Sequence, residues 1–553
     1  MAEYYNLGTY SRTVTTTSTD AQCWFDRGLV WCYGFNHEEA VACFKKATEY
    51  DPDCAMAYWG IAYAAGPNYN KPWQLFDAVD MARTLNIAYN AAQTARAQMA
   101  GTSPVEQALI TAVQERYPST TPAEDFNVWN DAYADAMRTV YTAFSEDIDV
   151  ATLFAEALMN RTPWQLWNLQ NGSAADGAST QETATVLEKA LQQMQEAGAE
   201  RHPGLLHMYI HLMEMSPHPQ AALRAADDLR GLVPDAGHLE HMSTHIDVLC
   251  GHYQTVVASN SRAIIADRRF LERQGAMNFY SLYRVHNYHF KLYGAMFLGQ
   301  YRPALEAVEE LVATTPEALL RMESPPMANW LEGYMSMKPH VYIRFGKWQE
   351  IVNEPLPADQ ELFCMTTAIL HYAKGVAHAT LGNIAASAAE QALFHAAVSR
   401  VPDTRFIHTN PCLAILGVAE QMLAGELEYR KANYDVAFNH LRQAVEREDN
   451  LPYDEPWGWM QPARHALGAL LLEQNHIEEA EAVYRADLGL DQTLSRASQH
   501  PDNVWSLHGL HECLRRLGKH GEADIIKLRL DLANARADTP IQASCFCRLR
   551  HAA

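Results

Sequence analysis

Apolar residues recur along most of this chain at the three- and four-residue steps that place them on one helix face, with no convincing strand alternation. In the first clear unit, from Asp20 to Pro52, small and large residues follow one another in a fixed order: Gly28, Phe35, Ala40, Phe44, Ala47 and then Pro52. Small residues at such places let two antiparallel helices pack closely, and a proline cannot continue the second helix. The spacing returns at Gly468, Asn475, Ala480 and Tyr484, and, with a slightly longer first helix, at Trp505, Gly509, Gly518 and Ala523. Looser copies run from Gly299 to Ala304, from Gly375 to Gly382, and from Ala432 through Ala437 to Ala444, while Gly251 and Gly346 mark further turns. The pattern predicts an all-α array of antiparallel helix pairs over residues 20–535, without a strand pair, between tails at 1–19 and 536–553. A short helix between Pro- and Thr-rich loops at 101–125 and a polar stretch at 170–182 interrupt it, and both read as surface connections, with lids as the alternative.

One stretch departs from a plain repeat scaffold. Eight of the 24 histidines lie between His202 and His252. His207, His211 and Glu214 are spaced four and three apart, and His238, His241 and His245 three and four apart, so each set forms a stripe on one helix face. Two neighbouring helices carrying such stripes have the means to converge on a metal ion. His202, His218 and His252 fall at helix ends or turns and read as surface or hydrogen-bonding residues.

The small-large-small spacing resembles the tetratricopeptide repeat (TPR), which implies an α-solenoid, a right-handed superhelix of helix pairs with a concave groove. Counting back from the turn glycines puts His238, His241 and His245, then His286, His289 and Tyr293, and then His340 and Arg344 at groove-facing positions. For His207, His211 and Glu214 the same face requires a turn one residue longer. Pro339 implies that the helix carrying His340 is kinked or begins late. Longer segments, among them His207–Glu214, Gly237–Ile246, His286–Phe290, Arg344–Trp348 and Tyr453–Trp457, resemble a broad, poorly characterised full-length family of TPR proteins from bacteria and fungi. That resemblance covers almost the whole chain and implies His37, Asn68 and Glu156 as further groove residues. Where the family usually has proline, this chain has Ser243.

Composition narrows the functions. With 48% hydrophobic and 20% charged residues the chain has material for a core, and its net charge of −23 argues against nucleic acid or an anionic membrane as partner. It has no signal-peptide pattern and no membrane-length apolar run, so a cytoplasmic protein is expected. The ten cysteines show no disulfide framework, and Cys545 and Cys547 read as part of a frayed terminus. P-loop, dinucleotide fingerprint, G-x-S-x-G and H-E-x-x-H motifs are all missing, so no nucleotide cofactor is expected.

The chemistry this points to is that of a divalent transition metal. Imidazole suits iron, copper and zinc, and the majority of histidines favours iron or copper, with zinc as the competitor. The expected ligands are His207, His211, Glu214, His238, His241, His245 and His286. Glu214, Tyr293 and Arg344 are candidate catalytic groups, and His37, Asn68, Glu156, His289, His340 and Trp457 would line the groove. The leading expectation is an oxidoreductase acting on a small organic molecule. The alternatives are a zinc-dependent hydrolase and a non-enzymatic TPR adaptor that binds a peptide or protein partner.

Overall fold

The computed structural model describes residues 4–549, and the fold is all-α and TPR-like. Two compact units make up the chain: Met1–Ile246 with Arg262–Arg284, and Asp247–Ser261 with Val285–Ala553. Each boundary falls inside a helix, in Gly237–Leu249, Tyr253–Gln274 and Ser281–Phe297. A boundary inside a helix leaves no loop composition behind, which is why the spacing alone predicts a single continuous array.

In the first unit the opening pair forms as helices Thr19–Tyr33 and His37–Tyr50. The Ser18 side chain caps the first helix by accepting from the Ala21 amide at 3.2 Å, and Asn36 caps the second from Glu39 at 3.3 Å. Between them Phe35 takes a left-handed conformation, φ +56°. The Phe44 ring then fills the space between Gly28 and Gly60, where a Cβ on either glycine would come within 2.6 Å of it. Residues 4–18, expected as a tail, instead pack onto this unit. Tyr5, Leu7 and Val14 are buried, and Arg12 reaches Asp147 at 2.9 Å and Asp149 at 2.7 Å. The polar stretch at 101–125 contains helix Pro104–Arg116, opened by a reciprocal Ser103–Glu106 cap. The stretch at 170–182 turns back through a Trp167–Ala174 bridge before helix Thr180–Glu196.

The second unit repeats the packing device with a different ring. Tyr484 lies between Gly468 and Gly509, too close for a Cβ on either, and joins helices Ala463–Glu473, Ile477–Asp487 and Val504–Arg516. Helix Met337–Arg344 follows a 3-10 turn, so Pro339 sits in its first turn, where the missing amide costs little. One expectation fails here, because Phe406–Ile407 pairs antiparallel with Asn410–Pro411. This hairpin is two residues long on each side, too short for an alternating pattern, and is held by His408 and Asn410 on Asp454 at 2.6 and 2.9 Å. The frayed-terminus expectation also fails. Ala543 to Cys547 are buried, and Cys545 and Cys547 are joined by a disulfide. Among the described residues, no helix is long and apolar enough to cross a membrane.

Candidate metal centre

Both histidine stripes lie in the first unit, on helices Pro203–Glu214 and Gly237–Leu249. Pro203 occupies the first turn, and His202 caps it by accepting the Leu205 amide at 3.0 Å. The His202 Nε2 faces Asp149 at 3.0 Å and the Tyr10 hydroxyl at 3.1 Å, so this histidine is structural, as its position at a helix end implies. His218 and His252 are exposed. Every residue of the Pro203–Glu214 helix is buried, an unusual state for a helix carrying two imidazoles and a carboxylate. Gly237 opens the second helix where a Cβ would collide with the Asp267 carboxylate.

The two stripes meet. Ligand atoms of His207, His211 and His238 lie within 4.8 Å of one another, and so do those of His211, Glu214 and His245. His207 donates from Nδ1 to the Tyr33 carbonyl at 2.5 Å. Glu214 accepts from His211 Nδ1 at 3.0 Å on one oxygen and from His245 Nδ1 at 2.8 Å on the other. The Thr244 hydroxyl donates to the His241 carbonyl at 2.7 Å, leaving its lone pair to face His241 Nδ1 at 3.3 Å. Each of these four imidazoles thus has its Nδ1 side engaged and its Nε2 turned away, the arrangement in which a second group fixes ring and tautomer for a metal.

A conflict remains at Nε2. His241 and His245 face each other through these atoms at 2.7 Å. An imidazole that gives its Nδ1 proton to a carboxylate or hydroxyl carries a lone pair on Nε2. With both Nδ1 protons so placed, an uncharged pair would point two lone pairs at one another, whereas His241 in its other tautomer would donate from Nε2 to His245. The Nε2 of His207 is buried with no hydrogen-bond partner, and burial lowers the His207 pKa to about 3, so its ring is neutral.

Aromatic rings enclose the cluster. Phe35 lies 4.5 Å from His207, 5.7 Å from His211 and 5.6 Å from His238, centroid to centroid. Tyr69 approaches His211 at 5.0 Å, and Tyr283 approaches His238 at 4.7 Å. Sequence spacing marked Phe35 only as a repeat position and did not single out Tyr69, Tyr283, Tyr33 or Thr244. A backbone carbonyl and a ring brought in by folding leave no periodic trace.

The other expected residues have these partners within their own units. His37 bonds the Ala64 carbonyl at 2.9 Å, and burial, reinforced by Arg116, lowers its pKa to about 3. Asn68 holds a tight turn through the amides of Asn70 and Lys71 at 2.9 and 2.8 Å. Glu156 is engaged by Arg116 at 3.4 Å and by Asn160. These three act within the first unit as internal hydrogen-bonding groups rather than as parts of the histidine cluster. In the second unit His286 lies 5.9 Å from His408, His289 Nε2 lies 2.9 Å from Met460 Sδ, and the His340 ring lies 5.2 Å from Trp459. Tyr293 stacks on Trp457 at 6.0 Å, and its buried hydroxyl is held well above its ordinary pKa. Arg344, expected as catalytic, is instead tied to His465 at 2.8 Å and to the Ser544 carbonyl, and lies 3.8 Å over Trp505. Glu214, expected as a ligand or a base, has both oxygens taken by histidines.

Comparison with known proteins agrees with the fold. A tetratricopeptide repeat family model matches residues 35–54, the turn and second helix of the opening pair. No curated protein matches the chain. Among solved structures, the chain is similar to yeast Tom70 at 11% identity, covering 93% of this chain and 98% of that one, with a TM-score of 0.28. It is also similar to a monomeric mutant of IFIT1 with Gppp-AAAA at 10% identity, covering 94% and 91%, with a TM-score of 0.29. A third similarity is to Naa15/Naa10 bound to HypK-THB, at 12% identity, 93% and 73% coverage, and a TM-score of 0.21. At these scores none of the three bears on function.

Proposed function

We propose that the first unit is a metal-binding module that uses a TPR-like framework to hold a divalent transition metal on imidazole Nε2 atoms. His207, His211, His238, His241 and His245 supply the nitrogens, and Glu214 orients two of the rings. The observation that carries this reading is the 2.7 Å approach of His241 Nε2 to His245 Nε2, with both Nδ1 atoms already engaged. A cation bonded to both at about 2.0–2.1 Å would part the two nitrogens to roughly 3.3 Å and replace the repulsion with two bonds. An imidazole-rich set suits copper, iron and zinc alike, and copper or iron is the choice that extends to redox turnover. Such an ion would supply Lewis-acid or redox chemistry, and an oxidoreductase acting on a small organic molecule is the extension of this reading to turnover. Elemental analysis of untagged protein purified without chelator tests it. Near-stoichiometric metal, lost together in His241→Ala/His245→Ala while the fold is kept, is the expected result. Metal content unchanged in that variant would refute the ligand assignment.

The repeat match at residues 35–54 favours a second reading, a non-enzymatic adaptor that binds a protein partner through its helical repeats. Protein with no metal, and no gain in melting temperature on adding any divalent ion, would leave the adaptor as the better account.

A further inference from the structure

The second unit holds one of its own segments in an extended cleft, and the contacts are those of a bound peptide. Ser544 is 1% exposed and is read on both sides. Its hydroxyl donates to the His465 carbonyl at 2.9 Å and meets the Tyr484 hydroxyl at 2.5 Å, while its carbonyl accepts from Arg344. Phe546 packs edge-on to Trp505 at 5.5 Å and covers Gly346, where an added Cβ would lie 3.1 Å from it. The Cys547 carbonyl accepts from Arg430. Arg548 closes the series with a forked pair on Glu512 at 2.6 and 2.8 Å. Helices Met337–Arg344, Cys412–Arg430, Ala463–Glu473, Ile477–Asp487 and Val504–Arg516 all contribute.

We infer that this cleft is a peptide-binding surface in which residues 543–548 act as a built-in occupant. Its partner is an internal peptide that takes the same 3-10 turn as Phe546–Arg548, with serine, an aromatic residue and arginine at alternate positions. The readout is side-chain chemistry rather than capture of a terminal carboxylate. Arg344 and Arg430 hold backbone carbonyls, the Tyr484 and His465 pair fixes the serine, Trp505 receives the ring, and Glu512 selects the cation. Arg344 supports this role because burial lowers its pKa to about 9, and its nearest polar partners are His465 and the peptide carbonyl rather than a carboxylate. The inference deepens the adaptor reading and rests on it, and it does not depend on the histidine cluster.

The test uses the full chain carrying Phe546→Asp with Arg548→Glu to release the segment, probed with a fluorescent synthetic peptide of residues 541–549. The released chain is expected to bind the peptide at least about tenfold more tightly than wild type. Adding Glu512→Lys should abolish that binding, and a peptide carrying Arg548→Glu should restore it. A released chain that melts like wild type and ignores the peptide overturns the inference. So does a protein partner held equally by wild-type and released forms, an outcome that would leave the adaptor reading standing. Should the released chain fail to fold, amide exchange in wild type decides. Exchange at 543–548 through local opening, faster than in the flanking helices, supports a displaceable occupant, and exchange only through global unfolding overturns it.

Discussion

Glu214→Gln separates the orienting role of this carboxylate from any part it plays in folding. Its two oxygens accept from His211 at 3.0 Å and from His245 at 2.8 Å. A glutamine keeps one acceptor but turns the other arm into an N–H donor, which cannot meet a second N–H. One imidazole must then change tautomer, and its proton moves to Nε2, the atom assigned to the metal. Loss of an orienting group of this kind costs about 10–100-fold in metal affinity, or roughly 1.4–2.7 kcal/mol. The metal-free protein should respond in the opposite sense. Without metal the amide removes a buried charge, and the tautomer change keeps both hydrogen bonds, so the stripped variant should melt no lower than stripped wild type. The assay is Zn²⁺ competition against a chromophoric chelator on stripped protein, read beside melting curves with and without metal. Affinity within about twofold of wild type would refute the orienting role, since one weakened ligand in a set of this kind costs at least about tenfold.

Other perturbations test the framework. Phe44→Ala should cost about 3–5 kcal/mol, because the ring fills the whole gap between Gly28 and Gly60, and a loss under about 1 kcal/mol in denaturant melts would contradict the packing account. In the second unit, Asp487 accepts from His465, His500, Asn503 and Ser506 at 3.0, 2.8, 2.9 and 2.6 Å. Asp487→Ala should therefore destabilise by about 3–5 kcal/mol, measured by chemical unfolding, with little effect if the network is incidental. Burial pushes the Glu448 carboxyl from its ordinary 4.5 up to about 8. The folded state thus binds this proton more tightly than the unfolded chain, and the stabilisation is complete below the unfolded value and is lost as pH rises to about 8. The slope contributed is at most about 1.4 kcal/mol per pH unit. Glu448→Gln should flatten the decline in melting temperature over that window, and an unchanged pH profile would rule the group out.

The fold was readable because its packing rule is local in sequence. A large ring set against a small residue on the next helix recurs at fixed spacing, so Gly28 with Phe44, and Gly468 with Tyr484, announce helix pairs without tertiary information. The pairing of the two histidine stripes was readable for the same reason, since each stripe is a helix face. The roles inside the cluster were not. Glu214 looks like a ligand on its own helix, and only the arrival of His245 from a second helix engages its other oxygen. Tyr33 contributes a backbone carbonyl, which no side-chain pattern encodes. Ser243, which departs from the resembled family's proline, is buried and accepts from Arg230 at 2.7 Å, a bond that a proline could not make. The docked segment at 543–548 was missed because its anchors are a small residue, a lone aromatic and one arginine, a combination too common in sequence to signal burial.

A change of tautomer at His241, an added proton and a metal ion are three ways to relieve the facing lone pairs of His241 and His245, and the first two act on that pair alone. A proton shared between the two Nε2 atoms would neutralise the single negative charge of Glu214 and satisfy that pair alone. The Nε2 of His207 would stay buried and unbonded, at a cost of about 1–3 kcal/mol. Nor would a proton account for the convergence of His207, His211 and His238 within 4.8 Å, from two helices of which the first has no exposed residue. A divalent cation acts on several nitrogens at once and leaves a net charge of about +1 beside Glu214, in an enclosure of aromatic faces that attract positive charge. Five imidazoles and one orienting carboxylate are the donor set on which the metal proposal rests, and metal content measured on untagged protein decides between it and a repeat scaffold whose histidines serve as hydrogen-bonding groups.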